Sequence, residues 1–368
     1  VLARDTGSNL SNDEKIVVLF FGMAFGLALG SAFYLSFRQK GGGFAGNLSL
    51  EQDVIRWRPV EGQIVEVPYA ALWTASLVGR DGSEALILKA QQKELDIVVA
   101  KKSLASPDLA ETLLEEILDR VRKLPEGQQL HARLENRQAL AKRLATGQRI
   151  VVPAIASILM LVFLLEVGVG ALEDPTRLLS LGANSPELVA KAEWFRLATS
   201  NLLHGGIAHL AANLFALLVL GFFLEPLLGR GRLLTIFLTT AIAGAALSSW
   251  VGQHDISVGA STGLLGLYAA DVIVSWRWRD QLLGPPANKW KSLFWILFVL
   301  FSGGEQVDRL GHLGGFIAGC LLMIPALKEA DLLKLHLRNR LLFRVASSLL
   351  VAVFLLACTM IPLVRFAY

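Results

Sequence analysis

The chain has 368 residues, of which 54% are hydrophobic and 18% charged, with a formal charge of +4. Soluble domains average roughly 45–50% apolar and about 25% charged residues, so a single soluble globule is excluded and a polytopic membrane protein is expected. Cys320 and Cys358 are the two cysteines and each lies in an apolar run, which argues against a disulfide framework and for small buried hydrophobes.

In chain order, residues 1–15 read as a polar N-terminal tail. Residues 16–37 are apolar and about one membrane span long, and Arg38 and Lys40 follow at once. A cleaved leader would carry its positive charges in front of a shorter apolar core. The run therefore reads as a transmembrane helix whose C-terminal end lies in the cytoplasm.

Residues 38–150 change character and read as a small soluble α+β domain. Short strands are expected over 63–67, 71–78, 85–89 and 95–100, with Asp81-Gly82 as a hairpin turn. Ser106-Pro107-Asp108 opens a helix on which Leu109, Leu113, Ile117 and Val121 form an apolar face. Pro125-Glu126-Gly127 breaks it, and a more basic helix runs over 128–144, with His131 expected in solvent. Strands capped by a helix loosely resemble a pleckstrin-homology-like barrel; an unspecified regulatory domain is the plainer reading.

From Val151 onward seven more apolar runs cover about 151–172, 203–224, 233–251, 259–276, 291–302, 309–327 and 343–364. Residues 151–327 are expected to form a core of six helices, 328–342 a basic cytoplasmic linker, and 343–364 an additional C-terminal helix. With residues 16–37 this makes an all-α bundle of about eight transmembrane helices. Basic residues fall on alternate loops: Lys142, Arg143 and Arg149; Arg230 and Arg232; Arg277 and Arg279; Lys328, Lys334 and Arg338. The alternation puts residues 38–150 in the cytoplasm. It also puts Ser261, His209 and His312 together toward the outer side.

Ser261 opens the fourth of these runs, among glycines, and His312 lies near the start of the sixth. A serine hydroxyl needs a base within hydrogen-bond reach, and histidine is the usual one. Gly263 and Gly266 line the fourth helix, and Gly315 and Gly319 form a GxxxG ridge on the sixth. Such small residues let backbones approach closely in lipid. His209 and Asn213 stand four apart on one helix face. With the backbone N–H of Ser261 they can converge on an oxyanion, whose donors are worth on the order of 10²–10³ in rate. The alternative is that they only hydrogen-bond between helices.

The run from Glu193 through Asn213 reads Glu-Trp-Phe-Arg-Leu-Ala-Thr-Ser-Asn-Leu-Leu-His-Gly-Gly-Ile-Ala-His-Leu-Ala-Ala-Asn. It resembles the rhomboid intramembrane proteases, with their Trp-x-Arg loop and His-x4-His-x3-Asn helix. Gly221, Glu225, Gly229 and Arg232 match a third family motif, Gly259-x-Ser261 the nucleophile motif, and Gly311-His312-Leu313-Gly314-Gly315 the histidine motif. The resemblance covers about 151–327. It implies Ser261 as nucleophile, His312 as general base, and His209 and Asn213 in the oxyanion hole. It also implies His204 as a structural loop histidine, Trp194 and Arg196 as anchors of the outer loop at the lipid interface, and cleavage of transmembrane substrates near their outer ends. Thr262 stands where the family most often has glycine, and a β-branched residue there is expected to narrow the oxyanion pocket or alter loop strain. Arg309 stands in place of a frequent asparagine and Gly311 in place of the usual alanine.

Among the other polar residues, Glu166 is expected to be paired or snorkelling, and Asp308 to cap the helix of His312. Asp271 lies ~15 Å inward of Ser261 at about 1.5 Å per residue, too far to complete a triad. No metal and no other cofactor is expected. The expected partners are transmembrane protein substrates and membrane lipid, with no nucleic acid; the oligomeric state is not legible. The expected location is a bacterial inner membrane. Two other functions compete: a catalytically inactive rhomboid-like protein that binds membrane helices, and a transporter or channel with a histidine proton relay. Internal repeats would favour the transporter, and the sequence contains none that we detect.

Overall fold

A computed structural model describes residues 46–59, 63–78, 84–91, 97–101, 104, 106, 108–251, 255–283 and 307–365. The helix expected at 16–37, the turn at 81–82 and the run at 291–302 lie outside the described residues.

Six strands open the described chain, two more than expected. Strands β1 (Gly46–Leu50), β2 (Val54–Pro59) and β3 (Val65–Pro68) form one antiparallel sheet. Strands β4 (Leu72–Val78), β5 (Ala85–Ala90) and β6 (Ile97–Ala100) form a second. The missed strand β2 alternates buried Ile55 and Trp57 with outward Arg56 and Arg58, the period of two that a half-buried strand requires. Its charge hides that alternation from a scan for apolar runs. The described strands pair within two separate sheets rather than around one closed barrel.

Helix α1 (Leu109–Arg122) covers the sheets with Ala110, Leu114, Ile117 and Val121 buried. Leu109 and Leu113 sit on the flank of that stripe, so the buried face is rotated from the expected one. The break before helix α2 (Gly127–Thr146) leaves Glu126 at φ 58°. A Cβ on Gly127 would lie 2.1 Å from the Val121 carbonyl oxygen, so the break depends on glycine. His131 is only 6% exposed, with Nδ1 3.3 Å from Glu135; it packs inward on α2 instead of facing solvent.

The rest is helical: α3 (Val151–Gly168), α4 (Ile207–Leu228), α5 (Arg230–Val251), α6 (Ser261–Arg277), α7 (Arg309–Met323) and α8 (Arg340–Arg365). Among the described residues five helices are long and apolar enough to cross a membrane. Helix α6, with 17 residues, is shorter and lies inside the bundle, where its residues from Thr262 to Leu267 are buried. The outer helices carry the exposed leucines, such as Leu161 and Leu164 on α3 and Leu349, Leu355 and Leu356 on α8. Large apolar side chains facing outward in this number suit lipid rather than water.

The helices are tied at one end by buried polar groups. Glu225, near the end of α4, accepts the N–H groups of Ile150, Val151 and Val152 at 2.7, 2.9 and 3.1 Å. These donors open α3 and have no partner within the helix. Arg232 donates to the carbonyls of Leu335 and Arg338 at 2.8 and 2.7 Å, holding the segment before α8. Arg143 of α2 donates to Pro226 O at 2.6 Å. The sheet region is fastened to the loop after α6. Arg137 of α2 stacks 3.8 Å over the Trp73 ring and donates to Trp73 O and, at 2.6 Å, to Asp280 O. Trp73 and Thr74 donate to Leu282 O and Leu283 O at 3.1 and 2.9 Å. Burial pushes the Arg137 guanidinium down to about 10, a level at which it still keeps its charge at neutral pH.

Candidate active site

The site is built where the starts of α6 and α7 meet the start of α4. Asp308 caps α7 by accepting the Gly311 N–H at 2.8 Å. Its second carboxylate oxygen accepts the Ser257 hydroxyl at 2.7 Å. One side chain thus fastens the approach to α6 to the first turn of α7. That approach is held further by an isolated bridge between Ser257 and Asn184, and by Gly259 N–H donating to Ser200 O at 3.0 Å.

Gly259 has φ 128°, and a Cβ there would lie 2.6 Å from His209 Cε1 and 3.6 Å from Asn213 Nδ2. Glycine is therefore required twice over, by conformation and by space. His209 and Asn213 accordingly share a face of α4 and lie against the backbone two residues before Ser261. The chain then turns into α6, with Ser261 as its first residue.

Helix contacts set the remaining distance. A methyl at Gly315 would lie 2.1 Å from Thr262 O, and one at Gly319 would lie 2.6 Å from Gly266 O. Helix α7 thus rests directly on the backbone of α6. The free sides of Gly263 and Gly266 face α5, at Phe237 and Thr240. Gly244 and Gly314 complete the packing, since Gly244 of α5 meets Gly311 O and Gly314 meets Gly244 Cα. Three helices are packed at backbone distance, the arrangement that small residues allow in lipid.

Ser261 Oγ lies 2.8 Å from His312 Nε2, and both residues are half-buried. The other ring nitrogen, His312 Nδ1, is buried and has no partner among the described residues. Asp308 is already committed to Gly311 and Ser257, so the pair carries no third carboxylate there. Asn213 Nδ2 is likewise a buried donor without a partner among the described residues. A buried donor left unmade costs about 1–3 kcal/mol, which the fold tolerates at this place.

Thr262 does not face the Ser261 side. It is 5% exposed and its hydroxyl donates to Asn201 Oδ1 at 2.7 Å and to Ala241 O at 3.3 Å. The expected narrowing is corrected: the β-branched side chain bonds toward α5 and the loop before α4. Glu166 is fully buried and accepts the His204 N–H with both oxygens, at 3.0 and 3.1 Å. It is paired and does not snorkel, because its partner is a backbone donor inside the protein. The His204 ring stands edge-on to His209 with centroids 5.2 Å apart. Trp194 is exposed, whereas Arg196 is 5% exposed and pairs with Glu193 at 2.6 Å. Arg196 also donates to Leu179 O and Ala183 O at 2.6 and 2.9 Å, so it ties the loop internally rather than anchoring it to lipid. Cys320 and Cys358 are half-buried and free rather than fully buried. Ser257 and Gly244 escaped the sequence reading, and Asn201 and Gly314 stood in it only as positions within the family motifs; a small or amide residue in a helix bundle gives no signal of its partner until its neighbour is known.

A model of the rhomboid domain matches residues 191–329. This span contains Ser261, His312, His209 and Asn213. Over these residues the chain is similar to the rhomboid family. Rhomboid protease GluP of Bacillus subtilis is 35% identical over 168 residues, covering 45% of this chain and 32% of that protein. Rhomboid-like protease 3 of Toxoplasma gondii is 34% identical, covering 42% of this chain and 60% of its own length. Rhomboid protease AarA of Providencia stuartii is 29% identical over 206 residues, covering 48% of this chain and 70% of its own. The chain thus spans 32% and 60% of the first two relatives' lengths. Together with the five apolar helices, the rhomboid domain makes this an integral membrane protein.

Proposed function

We propose that this chain hydrolyses peptide bonds of transmembrane protein substrates, with Ser261 as nucleophile and His312 as general base. The observation that carries the reading is the 2.8 Å separation of Ser261 Oγ from His312 Nε2, inside the 2.6–3.2 Å reach that proton transfer needs (about one hydrogen bond). Ser261 Oγ donates its proton to Nε2 as it attacks the substrate carbonyl carbon, and the imidazolium then protonates the leaving amine. Water attacks the acyl-enzyme with His312 again as base. The developing oxyanion takes hydrogen bonds from Asn213 Nδ2, from His209, and from the N–H groups that open α6, whose helix dipole also favours negative charge.

The loop charges support an orientation with the sheet region in the cytoplasm and the site opening toward the outer face of a bacterial inner membrane. In this reading residues 38–150 form a cytoplasmic domain, 151–327 the core and 343–364 an added helix. The contacts of Thr262 with Asn201 and Ala241 turn its side chain toward other partners, which supports the enzyme reading over an inactive binder. The test is cleavage of a model transmembrane substrate in liposomes, with parallel labelling by a fluorophosphonate. Ser261→Ala and His312→Ala should each lose at least ~10³ of the rate, since members of such a unit fail together. Equal cleavage by wild type and both variants would refute the assignment. Folded wild type that never labels would point to a binder, and solute flux surviving Ser261→Ala to a transporter.

A further inference from the structure

At the end of the bundle away from Ser261 lies a cavity of about 450 Å³. Helix α5 starts at its wall, and the 22 residues of α5 put roughly 33 Å between the two ends at about 1.5 Å per residue. The walls are the end of α2, the turn from α4 to α5 and the start of α8. Arg143, Arg230, Arg232, Arg338, Arg340 and Arg344 line it, together with His336. Glu225 is the acidic residue on that lining, and its carboxylate already holds three N–H groups of α3. Glu329 lies 3.9 Å from Arg338 and outside the lining.

Two features conflict with a cavity left to itself. Helices α5 and α8 both begin here, with no acidic residue in either first turn. A helix start carries about half a positive charge and favours anions, yet these starts carry Arg230, Arg232, Arg340 and Arg344. In addition, Arg232 is 2% exposed and fixed by two carbonyls, but its Nε is buried without a partner among the described residues. Arg338 Nε is in the same condition. His336 senses the same field. Burial, the Arg143 guanidinium 3.4 Å away, and the charges of Arg340 and Arg232 hold its imidazole below the ordinary range.

We propose that this cavity binds a phosphate-bearing anion, supplied by a phospholipid headgroup or by free phosphate. Guanidinium forks match phosphate oxygens in pairs, helix starts add N–H donors, and basic pockets between membrane helices suit anionic headgroups. The anion would bridge α2, the α4–α5 turn and α8 and offset their mutual repulsion. The inference uses only the membrane location and not the protease reading.

The test uses the full chain in neutral detergent, with melting followed on addition of dioctanoyl phosphatidylglycerol, dioctanoyl phosphatidylcholine or inorganic phosphate. Arg230, Arg340 and Arg344 are exposed, so R230Q/R340Q/R344Q should fold; gel filtration and circular dichroism check this, and R344Q alone serves if the triple variant does not. Phosphatidylglycerol should raise the wild-type melting temperature by several degrees, and the triple variant should need at least tenfold more lipid for the same rise. Protection by inorganic phosphate but not by phosphatidylglycerol would identify the free anion as the source. R277Q/R279Q, outside the cavity, should respond like wild type. Equal responses of wild type and triple variant, equal protection by phosphatidylcholine, or no protection by any anion would overturn the proposal.

Discussion

The two ends of the helix bundle treat buried polar groups differently. Away from Ser261, Glu225 meets three N–H groups, Arg232 meets two carbonyls and Arg143 reaches Pro226. Those groups close gaps in the backbone that the fold itself creates, and the donors left unmet there belong to guanidinium groups, Arg232 Nε and Arg338 Nε. At the Ser261 end, Asn213 Nδ2, His312 Nδ1 and both nitrogens of the buried His204 ring have no partner among the described residues. An unmet donor is a cost to stability unless something arrives to meet it. In the proposed reading, stability rests on the first set and catalysis draws on the second. Substitution should therefore separate them cleanly.

Among substitutions that test this contrast, the largest effect is expected at Asn213. Asn213→Ala removes a donor that, in the proposed reading, meets only the transition state. The rate of substrate cleavage should fall by about 10²–10³, as for a lost oxyanion donor, while the melting temperature stays the same or rises slightly. A fall in stability with unchanged cleavage per folded molecule would break the comparison. Glu225→Gln should do the reverse. An amide offers one acceptor oxygen where the carboxylate offers two, so at least one N–H at the start of α3 loses its bond. The loss should be about 1–3 kcal/mol, read as a lower melting temperature in detergent, with fluorophosphonate labelling per folded molecule unchanged.

How much of this was legible depended on what kind of signal each residue gives. Ser261, His312, His209 and Asn213 are polar residues in or beside apolar runs, where each is costly and therefore conspicuous. The apolar runs themselves foretold the helices α3 to α8, because lipid leaves few alternatives for the backbone. The neighbour that Gly263 faces was not legible, because a glycine at helical spacing marks close approach without saying which neighbour approaches. Thr262 was misread for a related reason: its partner Asn201 lies 61 residues away, and no local pattern links them. Strand β2 was missed because Arg56 and Arg58 on its outward face break any continuous apolar run, although Ile55 and Trp57 keep the period of two.

The smallest expected effect tests whether the arginine end is itself free of unmet charge. His336 sits on the segment before α8, with its Nδ1 3.0 Å from Leu333 O and Arg143 Nη1 3.4 Å from its Nε2. Its imidazole titrates below the ordinary value of 6.5, because of burial first and then the charge of Arg143. A base held lower in the folded state than in the unfolded chain binds fewer protons when folded. Its contribution is therefore unchanged above the ordinary histidine range and turns destabilising as pH falls below about 6.5. His336→Gln cannot take up the proton, so its melting temperature should fall less than that of wild type between pH 7 and pH 5. A bound anion would reduce the difference by welcoming the imidazolium, so adding phosphatidylglycerol should bring the two pH profiles together. Parallel profiles without any lipid would show that the guanidinium groups here do not act on their neighbour, and the contrast between the two ends would have to be drawn from hydrogen bonds alone.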